Sequence, residues 1–318
     1  MTKYIYLDQN KWIDLARAYH GREDGKIFKD VQLKIFEKSN NGEWKFPLSV
    51  AHHIETMSAL NRERRTRLAS VMSIVSKNCS IQPYINLEYD ELRNAIKNLY
   101  SLPLENLIPK AIQDDYFAAI GLDSSLFNIT SANPIVKKIV EEFLKNESLF
   151  EKINNLDFDE NTLDFVRNSN QESSEFIKNI EQDRQKFLKI PEEHQLNLHI
   201  YEYFNAKLIP YLPKIMKELN LTREELANKL SQENRAMEIC YAIPTLDTRA
   251  RLSYRNIRDT GRPIDKNDSI DEAFLCMAIP YCDIVVTENK WTHYAKQEKL
   301  DQKYNTKIFD SLNELLDL

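Results

Sequence analysis

Short β-branched runs and longer stretches of helical spacing alternate along this chain. Residues 3–8 alternate and are rich in Tyr and Ile, and Ile284-Val285-Val286 is a continuous apolar run of the kind found in buried parallel strands. Other short strands are predicted at 44–49, 80–82 and 306–309. Between them, apolar residues at helical spacing predict helices at 9–20, 26–39, 50–60, 63–77, 267–279, 292–300 and 311–316. Strands that alternate with helices indicate an α/β fold with a parallel sheet.

The middle of the chain has a different pattern. From about 86 to 245 the spacing is helical and irregular, with apolar periodicity at 88–99, 134–144, 160–166, 174–188, 195–208 and 223–230, and with loops expected in 146–174. We therefore predict a discontinuous α/β domain at 1–85 and 265–318, with a large all-helical insertion at 86–264 whose last part, 245–264, is basic.

Composition places the chain among ordinary globular proteins. Its 318 residues are 42% hydrophobic and 29% charged, and glycine is scarce, with 5 in all. No stretch approaches the ~20 apolar residues of a membrane span. The first residues enter a strand directly, and the four cysteines show no CxxC pair or zinc spacing. We expect reduced thiols, a cytoplasmic location and no membrane partner.

Charge is distributed unevenly. The net charge of −6 argues against a uniformly basic nucleic-acid binder, but two positive islands stand out at 61–67 and 245–262. In the second island Arg251, Arg255 and Arg258 fall at i, i+4 and i+7 and share a helical face. Both islands are candidate phosphate contacts, or else solvated helix faces. Lys11, which lies in the first helix three residues after Asp8, is likewise either a phosphate contact or a lysine on the helix surface.

Three acids occupy related places in the pattern. Asp8 stands where the first strand meets its helix, Glu55 lies on the helix after the second strand, and Asp271 lies in the first turn of the helix before Ile284. Parallel strands bring their C-terminal ends to one edge of a sheet, so these carboxylates are expected to lie close together. Clustered carboxylates suit a hard divalent cation such as Mg²⁺ or Mn²⁺. The sequence therefore predicts a metal site.

The order and spacing of these acids resemble the PIN-domain nuclease family. The family's first acid ends a strand, as in Leu7-Asp8-Gln9-Asn10, and its second follows the second strand, as Glu55 follows Leu48-Ser49. Its third acid opens a helix of small residues, and a strand ending in Thr comes sixteen residues later, as in Asp271 and Thr287. Its fourth position, two residues further on, is Asn289 here. The resemblance covers roughly 1–85 and 265–318.

This resemblance implies a PIN-like parallel sheet of about five strands and Mg²⁺- or Mn²⁺-dependent cleavage of phosphodiesters, usually in RNA. It implies that Asp8, Glu55 and Asp271 hold the metal and that Asn289 assists, with Asp283 as a candidate substitute ligand. Asn10 takes the family's small polar position beside the first acid. We group Asn10 and Lys11 with Arg251, Arg255 and Arg258 as candidate substrate contacts.

Other functions stay open at this point. One alternative is a non-catalytic PIN-like module that binds nucleic acid or protein, and another is a structure-selective DNA nuclease. The insertion could recognise an RNA, hold a protein inhibitor or form a homo-oligomer, and a role in a toxin or antiviral system rests on family analogy alone. His52-His53 lacks the spacing of a zinc motif, and no phosphate-binding glycine loop or serine-hydrolase motif is present.

Overall fold

The computed structural model describes residues 2–59, 61–120, 180–232, 235–265 and 267–318. By its contacts the chain divides into two compact units. The described residues of unit 1 are 2–59, 61–83, 112–120 and 281–318, and those of unit 2 are 84–111, 180–232, 235–265 and 267–280.

Unit 1 is an α/β unit built on a four-stranded parallel sheet with the strand order β2-β1-β5-β6. The described strands are β1 (Lys3–Leu7), β2 (Trp44–Lys45), β3 (Ser80–Ile81), β4 (Ile112–Gln113), β5 (Ile284–Val286) and β6 (Lys307–Phe309). In the register of the sheet, Leu7 is opposite Val286, which is in turn opposite Phe309. The C-terminal ends of three neighbouring strands therefore meet at one edge.

Beyond β2 the sheet continues in reduced form. Leu48 forms an isolated parallel bridge with Ser80, because the amide of Leu48 donates to Cys79 O and the amide of Ile81 donates to Leu48 O, both at 2.9 Å. β3 in turn pairs antiparallel with β4. The prediction of about five strands thus corresponds to four parallel strands and a bridged two-residue strand at the edge.

Helices flank the sheet of unit 1 and make up most of unit 2. The described helices are α1 (Gln9–Tyr19), α2 (Lys29–Asn40), α3 (Val50–Ser58), α4 (Arg62–Ser76), α5 (Glu88–Leu99), α6 (Ile108–Ala111), α7 (Glu192–Tyr203), α8 (Leu212–Glu218), α9 (Arg223–Leu230), α10 (Arg235–Tyr241), α11 (Pro244–Arg258), α12 (Asp268–Tyr281), α13 (Asn289–Gln297) and α14 (Leu300–Tyr304). Shorter 3₁₀ segments include Glu23–Phe28 and Leu312–Asp317.

Each unit has its own apolar core. In unit 1, Trp12 of α1 is fully buried and packs edge-on against Phe46, together with Ile5, Leu7 and other strand residues. In unit 2, α5, α7, α10 and α11 bury apolar residues that include Leu92, Ile96, Ile200, Ile243 and Leu246. The helical spacing seen in the sequence thus supplies the buried faces of these helices.

Several predicted elements differ from the observed ones. α12 continues through Pro280 to Tyr281 instead of stopping before the proline; Pro280 is the penultimate helical residue, so its missing amide disturbs only the final turn. The helix expected at 311–316 is a 3₁₀ segment. The helices predicted at 134–144 and 160–166, the loops in 146–174 and the first part of 174–188 lie outside the described residues.

The boundaries of the units also differ from those predicted. Residues 112–120 belong to unit 1, because β4 pairs with β3. Residues 267–280 belong to unit 2, and there Asn256 of α11 donates to the carboxylates of Asp268 and Glu272 at the start of α12. Within the described ranges, no helix is long and apolar enough to cross a membrane.

Candidate active site

Asp8 occupies the junction of β1 and α1 at the C-terminal edge of the sheet. Its backbone is extended, and it caps α1 by accepting a hydrogen bond from the Gln9 amide at Oδ1 (2.7 Å). Its other oxygen, Oδ2, accepts from the hydroxyl of Thr287 (2.9 Å), the residue that follows the neighbouring strand β5. Two adjacent strand ends therefore fix the orientation of this carboxylate.

Glu55 lies on α3, and two hydrogen bonds tie that helix to the chain on either side of Asp8. His52 Nε2 donates to the carbonyl oxygen of Leu7 (2.8 Å), and Gln9 Nε2 donates to Thr56 Oγ1 (3.0 Å). Leu7 and Gln9 are the two neighbours of Asp8 in the chain. On α3, His52 lies three residues before Glu55 and Thr56 lies directly after it. The fold thus holds the second acid beside the first.

His52 acts within this link as a neutral imidazole. Its Nδ1 accepts from the Ser49 amide (2.9 Å) at the start of α3, so the ring proton lies on Nε2. Burial lowers the pKa of His52 to about 4. His52 is buried, so it packs inside the protein.

We expect His52→Asn to lower the free energy of unfolding by about 1–2 kcal/mol at pH 7.5, because the shorter side chain can still accept from Ser49 but cannot reach Leu7. Between pH 6.5 and 4 the unfolded chain binds a proton on His52 that the folded protein does not, so wild-type stability contains a contribution that is lost as the pH falls through this range. Urea unfolding should therefore show a difference between the two proteins that narrows from pH 7.5 to 5. His293→Asn, at an exposed position, is the matched control and should show the same dependence of unfolding free energy on pH as the wild type. A difference between His52→Asn and the wild type that does not change with pH would contradict the assignment of His52 as a buried neutral imidazole.

Glu288 is the site residue that the sequence did not single out. It occupies the N-cap position of α13 directly after Thr287, and its side chain accepts a hydrogen bond from Asn10 Nδ2. Its charge raises the pKa of both Asp8 and Glu55. The available signal was its position two residues beyond a strand end, which is where sites form in parallel sheets.

The electrostatics of this edge are those of clustered negative charge. Burial, followed by the charges of Asp8 and Glu288, raises the pKa of Glu55 to about 8. Burial also raises the pKa of Asp8, against the opposing effects of its hydrogen bonds from Thr287 and Gln9 and the nearby Lys11 charge. The charge of Glu288 therefore makes ionisation of Asp8 and Glu55 harder, and the charge of Asp8 adds to the effect on Glu55. A bound cation would reverse this effect.

The donor set fits a hard divalent ion in type and charge. Asp8, Glu55 and Glu288 offer carboxylate oxygens, which Mg²⁺ and Mn²⁺ prefer, at an edge with a single nearby lysine charge acting on Asp8. Among the residues that the structure describes, no group of three or more His, Cys, Asp and Glu side chains is arranged as a metal cluster.

Asn10 and Lys11, two of the predicted substrate contacts, have partners within this edge. Asn10 bonds to Glu288 rather than to Asp8, and Lys11 Nζ donates to the backbone carbonyl of Asp310 (2.6 Å), just after β6. Asn289 is exposed at the first position of α13. These residues line the same strand ends as Asp8, and their roles toward substrate stay predictions.

Asp283 is not part of this cluster, and its assignment as a substitute metal ligand is wrong. It precedes β5 at the opposite, N-terminal edge of the sheet, where its Oδ2 accepts from the Tyr4 amide (2.7 Å). Its backbone amide donates to Tyr4 O (2.9 Å). The direction of a parallel strand separates its first residue from the residues beyond its last one, so Asp283 and Thr287 lie at opposite edges.

Asp271 lies in the first turn of α12 and is half-buried. It belongs to unit 2, whereas Asp8, Glu55 and Glu288 belong to unit 1. Its participation in the same site stays a prediction.

The arginines predicted to hold substrate have partners inside unit 2. Arg251 Nε pairs with Asp247 (2.8 Å), a fully buried carboxylate, and Arg258 pairs with Glu192 and donates to Gln195. The guanidinium of Arg255 lies 5.4 Å from the ring centre of Tyr254. These contacts give the basic face of α11 a structural role in unit 2, and its role in binding substrate stays a prediction.

Comparisons of this chain with known proteins identified no relative. No family model, no curated protein and no solved structure matches the chain.

Proposed function

We propose that this protein is a metal-dependent nuclease, and specifically an endoribonuclease. The observation that carries the proposal is the group of carboxylates at the C-terminal edge of the parallel sheet, where burial, together with the charges of Asp8 and Glu288, raises the pKa of Glu55 to about 8. Such an arrangement costs stability in the free protein, and a divalent cation would offset that cost. The order and spacing of the acids, which resemble those of PIN-domain nucleases, direct the choice of reaction.

The roles of the residues follow from their surroundings. Asp8 and Glu55 would hold the ion through carboxylate oxygens, with Glu288 adding negative charge and Asp271 serving as the third acid by resemblance. When bound, a divalent ion supplies Lewis acidity and neutralises the charge that develops on phosphorus during hydrolysis. Thr287 and the Gln9 amide keep Asp8 in one orientation, and Asn10 does the same for Glu288. Asn289, at the same strand end, would assist by hydrogen bonding.

The direct test is cleavage of labelled total RNA and of single-stranded DNA by the purified protein in Mn²⁺, Mg²⁺ or EDTA. We expect RNA to be cut with either ion and to remain intact in EDTA. Cutting that persists in EDTA would rule out the metal-dependent reaction. Exclusive cutting of DNA would reassign the substrate, and absence of both cutting and calorimetric Mn²⁺ binding would leave a non-catalytic binding module.

A further inference from the structure

A cleft in unit 1 contains an unusual number of arginines. It has a volume of about 490 Å³ and lies between the C-terminal half of α1 and the start of α4. Its charged and polar lining includes Arg17, His20, Arg22, Glu63, Arg64 and Arg67. The volume is within the range of small-ligand sites, and the guanidinium fork matches the oxygens of a phosphate group.

The ion pairs of these arginines leave positive charge available. Arg17 and Arg22 share Asp24, with Arg17 also pairing with Asp14, and Arg67 pairs with Glu63. Most of these side chains are substantially exposed, and pairs of this kind contribute only about 0–1 kcal/mol, so a phosphate can exchange with them. Within the part of the chain that the structure describes, Arg64 has no ion-pair partner.

Helix stability does not explain Arg64. It lies in the first turn of α4, where the helix dipole favours acids and disfavours cations. Its neighbour Arg65 has a structural explanation, because it is buried and donates to the carbonyl of Ala59 (2.8 Å). Arg64 instead is exposed and lines the cleft. Among the described residues no ion pair compensates for the unfavourable position of Arg64 in the helix, and such a position indicates a function.

The cleft and the carboxylate cluster of Asp8, Glu55 and Glu288 share α1, and α3 and α4, one beside each, are consecutive in the chain. Asp8 caps the N-terminus of α1, and Arg17 lies near its other end, about 14 Å further along at 1.5 Å per residue. Glu55 lies on α3, which is followed directly by α4. The link between α1 and α4 is fixed in part by His20, whose Nε2 contacts the carbonyl oxygen of Arg67 (3.1 Å). Asp8 and the cleft are therefore served by the same helix and are separated by a distance that a short stretch of nucleic-acid strand covers.

We propose that this cleft binds backbone phosphates of a single-stranded nucleic acid, a few nucleotides away from the bond at the carboxylate cluster. This inference rests on the proposed nuclease function for the identity of the ligand. It assigns Arg64 and Arg67 as binding residues that act on substrate affinity, and it leaves the chemistry to the acids. Since α4 follows α3 in the chain, a phosphate held there would also restrain the helix that carries Glu55.

The test is equilibrium binding of a labelled single-stranded RNA by the full chain in EDTA, over a series of salt concentrations. Arg64→Ala/Arg67→Ala should weaken binding on the order of tenfold and reduce the slope of log K against log salt by about 1.4, which is about 0.7 for each of two phosphate contacts. Arg62→Ala is the matched control, because Arg62 lies in the same helical turn as Arg64 but does not line the cleft. It should show smaller changes in affinity and slope, and circular dichroism should show all variants folded.

Equal affinity and slope in the double variant and the control would overturn the assignment, as would the absence of salt-dependent RNA binding by the wild type. If inorganic phosphate or triphosphate competes with RNA at concentrations as low as those of RNA, the ligand of the cleft is a small phosphate compound and not a nucleic-acid strand. Cleavage separates this proposal from the first one. If the wild type never cuts RNA but the double variant loses RNA binding, the cleft proposal holds and the nuclease proposal fails. If the wild type cuts RNA and the double variant cuts it with an unchanged KM, the nuclease proposal holds and the cleft proposal fails.

Discussion

Asp8→Asn is expected to reduce Mn²⁺-dependent RNA cleavage at least about a hundredfold, equivalent to ~2.7 kcal/mol of lost transition-state stabilisation. The fold should survive, because Asn is as good a helix cap as Asp and can still accept from the Gln9 amide. Thr287 can rotate its hydroxyl to accept from the new amide. The substitution therefore removes a charge while it keeps the local hydrogen bonds.

The variant should be measured by cleavage rate, by Mn²⁺ titration calorimetry and by thermal unfolding. Asp283→Asn is the matched control, since it makes the same chemical change at the opposite edge of the sheet, where Asp283 accepts from the Tyr4 amide. Loss of both cutting and Mn²⁺ affinity in Asp8→Asn, with neither lost in the control, would establish the site. Full activity of Asp8→Asn would refute the proposed function.

Glu55→Gln is expected to have opposite effects on activity and stability. Cleavage should be lost with the charge that holds the metal. Without metal, the folded state keeps a proton on Glu55 up to a pH of about 8, whereas an unfolded Glu releases it near its ordinary pKa of 4.5. The free energy of unfolding of the wild type therefore falls as the pH rises from about 4.5 to 8. Gln remains neutral, so the variant escapes this loss.

Thermal unfolding in EDTA gives the measurement. The midpoint of Glu55→Gln should match that of the wild type near pH 5 and exceed it at pH 9, by roughly 2–4 °C for each kcal/mol that the wild type loses when Glu55 ionises in its buried position. Glu37→Gln, at an exposed position of α2, controls for the change in net charge. Addition of Mn²⁺ should reverse the order, because binding to the folded wild type raises its stability. A midpoint difference that stays constant from pH 5 to pH 9 would show that Glu55 is not held among like charges.

These tests separate two properties of the carboxylate edge. The pH dependence in EDTA reports how much stability the free protein loses when Glu55 ionises in its buried position beside Asp8 and Glu288. The metal dependence reports whether a cation relieves it. The first can hold without the second, in which case the edge is strained by its charges but does not bind metal. Both together would connect the geometry of unit 1 to the proposed chemistry.

Local sequence determined much of the fold of unit 1. The β-branched run at Ile284–Val286 is buried on both faces of a parallel sheet, as its continuous apolar pattern predicts. Asp8 caps α1 where the strand pattern changes to a helical one, and Trp12 and Leu15 form its buried face. Tyr281 and Trp291, which lie on either side of Ile284–Val286 in the chain, are buried as well. Signals of this kind depend on neighbours a few positions away, so they are readable along the chain.

The composition of the candidate site was decided by tertiary structure. Only the pairing of β1 with β5 brings Thr287 and Glu288 to Asp8, from 279 and 280 positions away, and only the direction of β5 excludes Asp283. The partners of Arg258, which are Glu192 and Gln195, likewise depend on how α7 and α11 pack. The sequence by itself determined which residues end strands and begin helices, because local sterics and hydrogen bonding set those points. Which strand ends meet, and which charges must then share one edge, depends on long-range strand order, and only the tertiary structure fixes it.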